Sequence, residues 1–221
     1  MSRQQNAWLL LFLATVLPTC YAKQIPYGDY GFTLEEDSST YVYPNTFNDL
    51  REVDFKDLPI RVVYGHGKLF FMARLKGGSY EKLDRQNTVY DKVKLESVHY
   101  LSAKKSGVQY AMLICKWLTA SGSSNEYGVA QIFKLVDRRL TLVQQLLWDE
   151  HFSSHQPYES FDQKADTLVV RTAHYVSQDG HCCASAVDVV TLKWDGARFM
   201  RKSINSEPSD NGMKAGKQLN Q

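Results

Sequence analysis

The stretch Tyr110-Ala-Met-Leu-Ile-Cys-Lys-Trp-Leu118 is apolar at nearly every position. Closed by Ser121-Gly122-Ser123-Ser124-Asn125, so short a run reads as a strand buried on both faces. It is expected to be the central strand of the domain.

Working outward from it, the chain upstream alternates strand and turn signals. Ile60-Arg61-Val62-Val63-Tyr64 and Lys68-Leu69-Phe70-Phe71-Met72 flank Gly65-His66-Gly67, which predicts two strands joined by a tight glycine turn. Gly77-Gly78 and the polar run Glu81 to Asn87 mark a loop, and Lys92 to Leu101 follows as a strand. Downstream, Gly128 to Val136 and Leu140 to Trp148 form an antiparallel pair around Asp137-Arg138-Arg139. His151 to Gln163 is polar and aromatic, a loop or a single helical turn, and Asp166 to Val176 is a further strand. The stretch His181 to Met200 holds adjacent cysteines, a β-branched run and the pair Asp195-Gly196. A two-residue hairpin turn at that pair would set Trp194 opposite Ala197 and Leu192 opposite Phe199, with Lys193 and Arg198 toward water.

Nine or so short strands and no convincing helix predict a mostly β chain: a single antiparallel β domain, either a sandwich or an open barrel. The domain is expected over 51–203, after an irregular lead-in over 23–50 that shows no sustained period, and before a disordered tail over 204–221 that is rich in Ser, Asn, Lys and Gly.

The N-terminus reads as a secretory signal peptide over 1–22. Arg3 is followed by an apolar core from Ala7 to Leu17, too short to span a bilayer, and by Cys20-Tyr21-Ala22 with a small residue at the expected cut. A rival reading takes Leu17-Pro18-Thr19-Cys20 as a lipoprotein outline with Cys20 as the lipid anchor, although Thr19 is bulkier than such sites usually carry. The chain is therefore expected in the periplasm or outside the cell, tethered to a membrane only if Cys20 is lipidated. The formal net charge of +2, with no long block of one sign, gives no sign of nucleic-acid binding.

Export into an oxidising compartment makes a disulfide the first hypothesis for Cys115, Cys182 and Cys183. The expected bond joins Cys115 to one of the pair, with Cys182 and Cys183 equal candidates because neighbours in a strand point to opposite faces. A strained bond between the neighbours and three free thiols are the alternatives. Among other chemistries, His151 and His155 have i, i+4 spacing, with His181 beside the cysteines, but no third ligand is identified, so solvated loop histidines are expected and no metal or cofactor. No Gly-x-Ser-x-Gly elbow, phosphate loop or Gly-x-Gly-x-x-Gly occurs. A carboxylate pair for glycoside hydrolysis would leave no local signature. Asp188 is the first acid to test, and its plainer reading is a strand-end residue near solvent.

Val53-Asp54-Phe55 with Asp57-Leu58-Pro59, Leu75-Lys76-Gly77-Gly78-Ser79-Tyr80, Val93 to Tyr100, His181-Cys182-Cys183-Ala184-Ser185 and Lys193-Trp194-Asp195-Gly196 together resemble the secreted bacterial proteins and lipoproteins of the LppP/LprE type. The resemblance covers most of Val53 to Phe199. It implies an envelope location and a middle-strand cysteine opposite a Cys-Cys-x-Ser segment, and it brings no activity. Such proteins often carry an Asp-rich, calcium-like loop before the Cys-bearing strand. Here that position holds Ser102-Ala103-Lys104-Lys105-Ser106-Gly107, whose lysines repel a cation that needs several oxygen ligands. The expectation is a non-enzymatic envelope protein that binds an unknown ligand or protein partner; the alternative is a hydrolase of envelope polymer with dispersed carboxylates.

Overall fold

The computed structural model describes residues 34–65, 68–83, 89–105, 107–119, 125–150, 156–175 and 184–209. Cys20, the signal segment, His66, His151, His155, His181, Cys182 and Cys183 lie outside the described residues.

The largest sheet is antiparallel. It is built from β1 (Glu35–Asp37), β2 (Tyr41–Thr46), β5 (Ser79–Leu83), β6 (Val89–Leu101), β7 (Gln109–Thr119), β8 (Asn125–Val136) and β9 (Arg139–Asp149), in the order β1-β9-β8-β7-β6-β5, with β2 also on β9. A hairpin of β3 (Pro59–Tyr64) and β4 (Leu69–Arg74) covers one face. A four-stranded sheet of β10 (Glu159–Asp162), β11 (Thr167–His174), β12 (Ala186–Trp194) and β13 (Phe199–Pro208) covers the other. The result is a layered, open antiparallel sandwich that does not close into a barrel.

The composition of β7 follows from this layering. Ala111, Leu113 and Cys115 pack toward the β3–β4 hairpin with Ile60, Val62 and Ala73. Met112 and Ile114 pack toward the four-stranded sheet with Leu168, Val170, Leu192 and Phe199. Strand alternation sends successive side chains to opposite faces, so a strand covered on both has no position left for water. Each such large apolar side chain, fully buried, stabilises the fold by roughly 1.5 to 3 kcal/mol.

Three expectations are corrected. The lead-in is not irregular in its described part: β1 and β2 line the outer edge of β9, with Glu35 opposite Leu147 and Tyr41 opposite Leu142, and Tyr43 is buried in the core. An unpaired β9 would otherwise present a row of bare N–H and C=O groups. The tail begins later than 204, because β13 stays paired with β12 through Pro208 opposite Ala186, and Ser209 still donates to the Ala184 carbonyl. The final hairpin turns over four residues, not two. Trp194 pairs with Phe199, and Asp195 Oδ1 accepts from the N–H groups of Ala197 and Arg198 at 2.8 and 2.9 Å. That carboxylate closes the loop locally and leaves both aromatic rings, 5.3 Å apart, in the core.

Candidate ionic site at one end of the sandwich

Along the face of the large sheet that meets the four-stranded sheet, apolar positions give way to charge toward one end. On β7 the series runs Met112, Ile114, Lys116; on β8 it runs Ala130, Gly128, Glu126; along β9 and the residue that follows it, Leu146, Trp148, Glu150. Register puts Lys116, Gly128 and Trp148 in one row across the three strands. Gly128 is required there, since a Cβ would lie 1.9 Å from Trp148 Cε2, inside the indole ring. The indole lies over the bare glycine and donates from Nε1 to Glu150 Oε1 at 3.0 Å.

Glu150 is 2 % exposed. Its second oxygen lies 3.3 Å from Lys116 Nζ, without the alignment of a hydrogen bond. From the opposite sheet, Glu159 at the start of β10 adds a second negative charge near Glu150 and Lys116. Burial pushes Glu150 up to about 7, against the pull of Lys116 and with the help of Glu159. Burial likewise raises Glu159, so the two carboxyls hold a proton above the ordinary carboxylate range. Burial pulls Lys116 down, but Glu150, Glu159 and Glu126 outweigh it and hold the ammonium charged. The ammonium also sits 5.1 Å from the centre of the Tyr158 ring.

Beside this cluster, Asp188 lies within β12 and is 3 % exposed, which corrects its reading as a solvent-side strand-end acid. His174 Nδ1 lies 3.1 Å from Asp188 Oδ2, and Ser206 Oγ donates to Asp188 Oδ1 at 2.5 Å. Serine, histidine and aspartate thus meet, but the hydroxyl donates to the carboxylate and not to the imidazole, so no base is set to activate it.

The disulfide expected at Cys115 is not present among the described residues, and its expected partners Cys182 and Cys183 lie outside them. Cys115 is a free, fully buried thiol, and its side chain packs on the β3–β4 face. β12, which follows the cysteine pair in the chain, belongs to the sheet on the other face. Burial, with Glu96 adding to it, pushes the thiol up to about 12, which leaves it without thiolate character. Among the described residues no group of three or more His, Cys, Asp or Glu is placed to hold a metal ion.

Lys116, Glu150 and Glu159 were not singled out from the sequence. The available signals were a lysine inside an otherwise apolar strand, a glycine inside a strand, and an acid directly after a buried one. Comparison with known proteins finds no family, no curated protein and no solved structure that matches the chain.

Proposed function

We propose that this protein is an exported, non-enzymatic binding module of the cell envelope, of the LppP/LprE type, whose ligand or protein partner docks at the ionic end of the sandwich. The observation that carries this reading is the charged pair of Lys116 and Glu150, set by Trp148 on Gly128 between two sheets. Buried ion clusters seldom improve stability over apolar packing, so their retention favours a role in recognition. Lys116 and His174 keep about a third of their side-chain surface exposed, at 35 and 33 %, and offer a partner polar contacts at the rim. Hydrolysis has less support, because Asp188 is engaged by His174 and Ser206 and Glu150 by Trp148 and Lys116.

The test immobilises the whole chain and a Glu126→Gln/His174→Gln double variant, which leaves buried Glu150 in place, and exposes both to envelope extract. A component held by the wild type, released by salt, and held several-fold less by the variant supports the reading. Equal retention, or shortened polymer released by the wild type, overturns it.

A further inference from the structure

The four-stranded sheet ends on β13, and no described strand pairs with the far side of β13. At the outer edges of the other strands the runs are short: three residues in β1, six in β2, five in β5 and four in β10. β13 spans ten residues, and every one after Phe199 is exposed. A long bare edge is a template for another strand. We propose that β13 is a dimer edge: two copies of this chain pair antiparallel along it, about a two-fold axis at Ile204, and join their four-stranded sheets into one.

Main-chain direction supports this axis. Ser209 donates its N–H to the Ser185 carbonyl at 2.9 Å, so that N–H points toward the β12 side. Successive main-chain groups of a strand alternate in direction, which turns Pro208, Ser206 and Ile204 outward. Pro208 has no N–H to give, and it stands opposite Ala186 where none is needed. Ile204 thus aims its N–H and carbonyl at solvent, and a two-fold axis there lets the two copies of Ile204 exchange both bonds.

The side chains agree. Ile204 is 39 % exposed, and the axis sets it against its own copy. Arg201 and Lys202 lie near the start of the strand and Glu207 near its end, so antiparallel pairing lays the cations of one copy beside the anion of the other at both ends. Parallel pairing would set like charge against like. Thr191 pairs with Ser203 and Leu192 with Arg201, so the bulge falls at Lys202 and leaves Ser203 to Glu207 in regular register. The same patch serves both copies, as a closed dimer requires. The dimer goes beyond the binding reading and needs no ligand to be tested.

Sedimentation equilibrium of the whole chain, with reductant present, is run from roughly 1 to 300 μM, a span that brackets micromolar affinity. The mean mass should rise toward that of two copies. Ile204→Pro removes the outward N–H, spares the bonds to β12, and should weaken the dimer by about tenfold or more. Ile204→Lys sets like charges face to face at the axis and should weaken it several-fold. Leu83→Lys, at an exposed site on the short edge strand β5, should change nothing. A monomer at every concentration overturns the dimer and leaves the edge to an extended segment of another protein. A dimer that neither Ile204 variant weakens, or that Leu83→Lys weakens equally, also overturns it. Should the variants fail to fold, hydrogen exchange of the wild type decides. The Ile204 and Ser206 N–H groups should exchange more slowly as concentration rises, and equal rates in dilute and concentrated protein overturn the pairing.

Discussion

Gln144 and Gln145 are neighbours on β9, and each uses its amide as a piece of strand. Gln145 accepts from the Val63 N–H at 3.0 Å and donates to the Val63 carbonyl at 2.5 Å, which docks the free edge of β3. On the opposite face, Gln144 accepts from the Phe199 N–H at 2.8 Å and donates to the Phe199 carbonyl at 2.9 Å, which docks the start of β13. Gln131 completes the first contact by donating to the Arg61 carbonyl. Three fully buried amides thereby satisfy main-chain groups that would otherwise be stranded between sheets. Replacing Gln145 by Ala leaves the Val63 N–H and carbonyl unpaired and should destabilise the fold by about 2 to 4 kcal/mol, seen as a lower urea midpoint at unchanged slope. None of this was legible in the sequence. A glutamine in a strand reads as a water-facing residue, and here the group it meets lies 82 positions away.

At the scale of elements, strand positions were legible and turn geometry only partly so. The apolar run of β7 announced a strand buried on both faces because packing on each side removes polar positions. The Asp195-Gly196 pair looked like the two-residue turn but sits inside a longer loop, with Gly196 at φ +92°. The two-residue turn of the molecule's central hairpin is Asp137-Arg138, at φ +50° and +65°, between Val136 and its partner Arg139. That left-handed pair has the form of a type I′ turn, in which residues other than Gly, Asn and Asp are strained, so the strain falls mainly on Arg138. Changing Asp137 to Asn and Arg138 to Gly should therefore stabilise the domain by about 1 kcal/mol, a rise of roughly 2 to 4 °C in calorimetric Tm. An unchanged or lower Tm would show that the turn is supported by contacts of its own.

For the whole molecule, the long-range pairings decide the architecture. β1 and β2 come first in the described chain yet complete the edge of β9, on which the central β8–β9 hairpin depends. A chain that begins after Thr46 would bare that edge, and bare edges recruit other strands. Size-exclusion chromatography of such a truncation should show larger species than the intact chain forms at the same concentration. A monomeric truncation with unchanged Tm would show that the lead-in strands are dispensable. By itself the sequence determined the mostly β class, the central strand and most strand positions, because hydrophobic period and turn chemistry act between near neighbours. Only the tertiary structure decided that Cys115 stands alone, that Asp188 is buried, and that Lys116 and Glu150 meet. Each of those facts depends on which face of one sheet is laid against another, and sheet-on-sheet packing joins residues far apart along the chain.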